Sequence, residues 1–109
     1  MRRLNGTPGY HAVRHILTSP RIAERTAPHI HEDEFGWYPI LVEAETMSSG
    51  ESLLVEVAYD LWHGNGDARV WELQRLLDRS SFDRVVEALE LSRGEGLARA
   101  RPASAGVAA

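Results

Sequence analysis

Residues 48–94 constrain the fold most, because they contain three amphipathic helix patterns separated by two short polar turns. The first pattern begins with a capping box formed by Ser48 and Glu51, in which each side chain accepts a backbone N–H at the helix start. The helix is expected over residues 49–63, ending at Gly64, where glycine supplies a left-handed C-cap. Its apolar residues recur at helical spacing on one face: Leu53, Leu54, Val57, Ala58, Leu61 and Trp62.

The remainder of this block predicts two more helices. The second is expected to start at Asp67 as its N-cap, and the third to start at Ser80 after a tight turn and to stop at Arg93-Gly94. The three helices together predict a core of residues that are nearly buried and in mutual contact: Leu54, Val57, Leu61, Leu73, Leu77, Val85, Val86 and Leu89. We therefore take residues 48–94 as the nucleus of the fold.

The amino-terminal half carries weaker helix signals. Thr7-Pro8 predicts a helix over residues 8–18, and Ser19-Pro20 predicts a short one to about Ala27. Residues 35–42 have the β-branched and aromatic content of a strand. The sequence offers no second strand to pair with it, so a helix over residues 39–46 is the better interpretation.

These patterns predict an all-α fold: a small single-domain bundle of about six short helices with a tri-helical, helix-turn-helix-like core. The domain is expected to cover residues 1–94, with a frayed start over residues 1–6. Residues 95–109 are rich in alanine, arginine and glycine and have almost nothing to bury, which predicts a disordered tail.

Length and composition narrow the function class. A length of 109 residues is typical of one domain. Because the chain has no cysteine, it can form neither disulfides nor thiolate metal sites. The sequence shows neither a signal peptide nor a membrane-spanning segment, so we expect a soluble, cytoplasmic protein. Since no Ser/His/Asp, Cys/His or paired-carboxylate spacing stands out, we expect a non-enzymatic protein that needs no cofactor.

The charge is unevenly distributed along a chain whose net charge is −4. Residues 1–31 contain five arginines and one acid, whereas residues 32–60 contain eight acids and no basic residue. Coulomb attraction allows these segments to pair within the fold or between subunits. The net negative charge disfavours a phosphate backbone as the main partner.

The spacing over residues 72–89 resembles a DNA-binding helix-turn-helix, but the third helix is poorly suited to reading DNA. Its expected exposed face consists of Ser81, Asp83, Arg84, Glu87 and Glu90. Three of these residues are carboxylates, which a polyanion would repel. A DNA-binding regulator therefore remains an alternative function. Its first nucleic-acid contacts would be Arg69, Arg75, Arg79 and Arg84.

Four histidines are the residues with potential metal chemistry. His11 and His15 are four residues apart and share a helix face, and His29 and His31 follow in the polar connector. Such a set could close a tetrahedral zinc site, which makes a small histidine-metal protein the second alternative. Nearby arginines would repel a cation, so we expect no stoichiometric metal.

Two tryptophans are candidates for interaction. Trp71 lies about one position away from the inward face of its helix, so it either covers the core edge near Trp37 or anchors a contact with another protein. The leading hypothesis is thus a small helical protein–protein interaction module that binds a protein partner or a second copy of itself.

Overall fold

The computed structural model describes the backbone of residues 8–100 and the side chains of residues 9–93. Over these residues the fold is all-α, as the sequence predicts, with a short 3-10 turn after the second helix and a single isolated antiparallel bridge between Ile30 and Phe35. The six α-helices are α1 (Pro8–Leu17), α2 (Ala23–Thr26), α3 (Trp37–Ala44), α4 (Ser49–His63), α5 (Val70–Leu76) and α6 (Arg79–Ala100).

Helix α4 has the ends predicted from its sequence. Ser48 Oγ accepts a hydrogen bond from the Glu51 backbone N–H at 3.2 Å, and Glu51 Oε1 accepts one from the Ser48 backbone N–H at 3.1 Å. At the other end Gly64 adopts φ 82°, and its N–H donates to the Asp60 carbonyl at 2.7 Å. These local bonds define α4 without help from the rest of the fold.

Helix α1 lies at the centre of the core, between α4 and α6. Four of its residues are completely buried, namely Ala12, Val13, Ile16 and Leu17. Both α4 and α6 pack extensively on α1 but touch each other little. The prediction that residues 48–94 form the nucleus, with the amino-terminal helices laid across it, is therefore wrong, because α4 and α6 bury their apolar faces against α1.

Helix α6 presents a different face to the core from the one that its largest apolar residues predict. Ser81, Val85 and Ala88 are buried at intervals of four and three residues, whereas Val86 and Leu89 are exposed. The small side chains on the buried face allow α1 to approach closely. The predicted burial of Val86 and Leu89 is wrong, and Leu61, Leu73 and Leu77 are only partly buried.

The starts of α5 and α6 also differ from prediction. Helix α5 begins at Val70 without a side-chain cap, so Asp67 does not cap it. Helix α6 is capped by Asp78 rather than Ser80, since Asp78 Oδ1 accepts the Ser81 backbone N–H at 2.8 Å. This hydrogen bond from Ser81 is the main reason that the pKa of Asp78 lies below its ordinary value.

The backbone of α6 continues to Ala100, past the predicted end at Gly94. Six residues of the stretch predicted as a disordered tail are thus helical, while residues 101–109 of that tail and the predicted frayed start over residues 1–6 lie outside the described residues. Of the helices described, α6 included, none has the combination of length and apolar content needed to cross a membrane.

The segment that resembles both a strand and a helix, residues 35–42, is mostly helical. An arginine of the amino-terminal half binds the helix that it forms. Helix α3 starts two residues before Pro39, which confirms the helix interpretation over a strand. Arg25 Nε donates to the Glu43 carboxylate at 2.8 Å, and Arg25 Nη2 donates to the Glu43 carbonyl at 2.9 Å. Arg21 lies 3.4 Å from the Asp78 carboxylate. The Arg25–Glu43 pair therefore joins the basic and acidic segments within the fold, one of the two arrangements that the charge distribution allows, whereas Asp78 lies beyond the acidic segment.

Candidate functional site

Apolar side chains on α5 and α6 remain exposed although the core is complete without them. Leu73 of α5 and Leu77, the residue after α5, line a groove of about 450 Å3 together with Phe82 at the start of α6. Val70 lies one turn before Leu73 on α5. We call the set formed by Val70, Leu73, Leu77, Phe82, Val86 and Leu89 the α5–α6 surface. Val70 is 76% exposed, Leu89 44% and Val86 38%. Isolated exposed apolar residues are ordinary, but a run of them beside a groove is typical of a binding surface.

The α6 part of this surface has the spacing of a helix that pairs with another helix. Arg79, Phe82, Val86, Leu89 and Arg93 follow one another at steps of three and four residues. This repeat averages 3.5 residues and keeps the side chains in one stripe along the helix. The spacing is visible in the sequence, but the same spacing is expected of a helix face that packs in the core, so the sequence alone does not show that the stripe is exposed.

Charged residues of both signs border the stripe. Arg79 Nε lies 3.3 Å from the Asp83 carboxylate one turn away, and both side chains are largely exposed. Glu90 and Arg93 are exposed at the other end of the stripe. The apolar centre with a mixed-charge border resembles the layout of protein–protein interfaces.

The two tryptophans occupy different environments. Trp71 is 53% exposed, and the Arg75 guanidinium lies 5.4 Å from the centre of its ring. The ring contacts of Trp37 are with Phe35, Tyr59 and His63 and do not include Trp71. An exposed Trp beside an Arg is a common composition at interface centres, which leaves the contact-anchor interpretation of Trp71 as a proposal.

Trp37 instead belongs to an aromatic cluster that joins α3 to α4. Its ring lies 5.6 Å from Phe35, 5.4 Å from Tyr59 and 5.4 Å from His63. Its indole Nε1 is buried and has no hydrogen-bond acceptor among the described residues. Trp37 therefore packs within the protein, and the aromatic cluster was missed by sequence reasoning because its members are far apart in the chain.

The four histidines do not converge on one point. His15 Nε2 lies 2.7 Å from the Glu87 carboxylate, so this side chain bridges α1 and α6. His11 and His31 line a separate open cleft of about 360 Å3 together with Tyr10, Arg14, Ile30 and Glu32. Among the residues whose side chains are described, no three of the kinds that bind metal lie close enough to hold an ion.

The four arginines proposed as nucleic-acid contacts lie in different surroundings and make different contacts. Arg84 is half-buried and bonded to the carbonyl of His15, and Arg75 stacks on Trp71. Arg79 pairs with Asp83, and Arg69 precedes α5 as an exposed residue. Moreover, α5 packs more on α4 than on α6, so these two helices do not form the compact pair expected of a helix-turn-helix.

Two further surface features lie outside the α5–α6 surface. Tyr38, Leu41 and Val42 form a second exposed apolar patch, on α3. On α4, partial burial raises the pKa of Glu56, and the neighbouring carboxylates of Glu72 and Asp67 raise it further. These three acids repel one another where α4 meets α5.

Comparison of the chain with protein-family models, with curated proteins and with solved structures finds no match.

Proposed function

We propose that this protein is a non-enzymatic interaction protein that docks a partner on the α5–α6 surface. One observation carries the proposal: Leu73, Leu77 and Phe82 line an open groove, and Val70 on α5 and Val86 and Leu89 on α6 stay exposed further along the same two helices. Burying such side chains on binding removes apolar area from water, at about 25 cal/mol per Å2. The exposed Trp71–Arg75 pair beside Val70 supports the same surface, because Trp and Arg are enriched among residues that dominate binding energy.

The site geometry favours this function over DNA binding. A reading helix needs free donors on its exposed face. In α6, Ser81 is buried and Arg84 is bonded to α1, which leaves two arginines and two acids among the exposed charged side chains: Arg79, Asp83, Glu90 and Arg93. The exposed apolar stripe between them would gain nothing from a phosphate backbone.

Site-specific photo-crosslinking tests the proposal in the cells that express this protein. A photoreactive amino acid is placed in turn at Val70, at Val86 and, as a control, at Glu24, an exposed residue of α2. We expect covalent protein adducts at the first two positions and none at Glu24. Adducts formed equally at all three positions, or at Glu24 alone, would contradict the assignment of the surface.

A further inference from the structure

The open cleft between α1 and the connector after the 3-10 turn shares no residue with the α5–α6 surface. It has a volume of about 360 Å3 and is lined by three residues of α1 and three of the connector: Tyr10, His11, Arg14, Ile30, His31 and Glu32. We infer that this cleft binds a small organic phosphate monoester, with Arg14, His11 and His31 as donors to the phosphate group. This site is independent of the proposed function.

The inference starts from Arg14, an arginine without an acid partner. Residues 1–31 form the basic segment, and two other arginines of its described part are paired within the fold. Arg21 lies 3.4 Å from the Asp78 carboxylate, and Arg25 lies 2.8 Å from that of Glu43. The Arg14 side chain is exposed and makes no ion pair or hydrogen bond with another described residue. Its planar set of N–H donors at the edge of a cleft is suited to an anionic group such as a phosphate.

Two histidines add donors beside Arg14. His11 is three residues before Arg14, so the two side chains lie next to each other on α1. His31 lines the same cleft from the connector. Neither imidazole makes an ion pair or hydrogen bond with another described residue. Because histidine changes its charge between about pH 5 and 8, a bound anion favours the charged form of both. Three donors match the three acceptor oxygens of a phosphate group better than the two of a carboxylate.

Contacts behind the cleft hold its two walls together. The hydroxyl of Tyr10 donates to the His31 carbonyl at 2.6 Å, and the Tyr10 ring stacks on Phe35 at 5.1 Å. The turn that carries His31 is closed by the bridge between Ile30 and Phe35 and by the His31 N–H, which donates to the Glu34 carbonyl at 3.0 Å. A ligand therefore does not have to order the connector, which lowers the entropic cost of binding.

The other lining residues indicate the rest of the ligand. A volume of about 360 Å3 is at the small end of small-molecule sites and leaves room beside a phosphate group. Ile30 lines this room together with the Tyr10 ring, which favours a ligand with an apolar body. Glu32 is the acid among the lining residues and opposes an anion by Coulomb repulsion. Its side chain is exposed, so water screens part of this repulsion.

NMR titration of the isotope-labelled full chain with phenyl phosphate tests the inference. We expect saturable shifts of the backbone amides in residues 10–15 and 30–33, with a dissociation constant of about 1 mM, ordinary for a ligand of this size. Inorganic phosphate should bind more weakly because it does not cover Ile30, and benzoate because it has fewer acceptors and less charge. Equal binding of inorganic phosphate would overturn the organic ligand. Equal binding of benzoate would overturn the preference for phosphate.

Substitutions at the donors identify the contacts. Arg14→Gln should weaken binding of phenyl phosphate by at least ~10-fold, the range for hydrogen bonds to charged groups. Arg14→Lys should lose less because it keeps the charge. The matched control is Arg69→Gln, since Arg69 is also exposed, makes no ion pair with a described residue and lies outside the cleft. Its affinity should stay within about 2-fold of the parent, because salt screens a distant charge.

The histidines and the acid should act in opposite directions. His11→Asn and His31→Asn should each weaken binding by about 3-fold, and Glu32→Gln should strengthen it by about the same factor. Circular dichroism confirms that each variant keeps its helix content. Three results would overturn the inference: no saturation at about 20 times the expected constant, shifts centred elsewhere on the chain, or equal losses from Arg14→Gln and Arg69→Gln.

Discussion

The guanidinium of Arg84 donates two hydrogen bonds to the backbone carbonyl of His15, from Nε at 3.1 Å and from Nη2 at 2.8 Å. Nη2 also donates to Thr18 Oγ1 at 3.0 Å. His15 lies in the last turn of α1, where the carbonyl groups of a helix need partners from outside it. A positive side chain of α6 therefore caps α1, and this contact orients α6 so that Val85 faces α1.

Removal of this cap should destabilise the whole fold. We expect Arg84→Ala to lower the free energy of unfolding by about 1.5–3 kcal/mol, the range for hydrogen bonds to charged groups. Arg79→Ala is the matched control, because Arg79 is highly exposed and pairs with Asp83 across one turn of the same helix. Its effect should stay below about 1 kcal/mol. Urea denaturation measures both, and equal losses would contradict the capping role.

The burial of residues in α1 and α6 predicts how much each apolar side chain contributes to the free energy of unfolding. Ile16→Ala should cost about 2–5 kcal/mol, since Ile16 is completely buried. Leu89→Ala should cost less, about 1 kcal/mol, because the residue is still 44% exposed in the folded chain. Thermal or urea unfolding of the two variants gives the comparison. A Leu89 variant as unstable as the Ile16 variant would show that Leu89 belongs to the core after all.

A close approach between α4 and α5 makes Gly50 intolerant of a side chain. A Cβ atom at this position would lie 2.6 Å from the Leu76 carbonyl oxygen. In an isolated helix, alanine would be favoured over glycine by about 1 kcal/mol. Here we expect Gly50→Ala to lower the melting temperature instead, because the backbone of α5 must shift.

The control for Gly50 is the neighbouring helix position Ser49, whose side chain is exposed. Ser49→Ala should leave the melting temperature nearly unchanged. A Gly50→Ala variant that melts higher than the parent would mean that α5 moves away from α4 at no cost.

The raised pKa of Glu56 predicts a pH dependence of stability. Partial burial, and then Glu72 and Asp67, make the folded protein hold the Glu56 proton more tightly than the unfolded chain does. The folded state therefore binds more protons between the ordinary carboxyl pKa and the raised one, and the unfolding free energy falls as pH increases through that window. Glu56→Gln should remove this dependence and stabilise the protein at neutral pH.

Denaturation curves from pH 4 to 7 test this prediction, with the gain from Glu56→Gln shrinking toward the acid end. Glu45→Gln is the control, since Glu45 is an exposed carboxylate at the end of α3 and is absent from the group around Glu56. A gain that grows as the pH falls would have the opposite sign and would refute the assignment.

Features that depend on neighbours in the chain followed from the sequence. The capping box of Ser48 and Glu51 and the glycine end of α4 involve residues a few positions apart, so their side chains and backbone meet whatever the rest of the fold does. The helical nature of residues 37–44 was also predictable, because an unpaired strand would leave its hydrogen bonds unmade. The caps of α5 and α6 were predicted wrongly. Asp78 caps α6 in place of Ser80 two residues later, which is an equally suitable type of residue, and α5 starts without the predicted cap from Asp67.

The candidate site was only partly predictable. Trp71 was expected to lie about one position off the inward face of its helix, and it is 53% exposed, but Val70 beside it is 76% exposed. Val86 and Leu89 were assigned to the core from their apolarity and are exposed as well. The spacing of apolar residues shows that α6 has two overlapping apolar faces. It does not show which of the two faces packs against α1. Size misled here, because the buried face of α6 is the one with smaller residues, Ser81, Val85 and Ala88.

The sequence by itself determined the all-α class, the position of most helices and both ends of α4, because these depend on backbone hydrogen bonds and side chains within a turn or two of one another. Only the tertiary structure decided that α1 is the centre of the core, that Arg84 and Glu87 of α6 bind α1, and that the larger apolar stripe of α6 is left in water. The physical reason is that helices of similar apolar content compete for the same partners. The outcome depends on which faces fit closely and satisfy their polar groups, and these are contacts between residues about 70 positions apart.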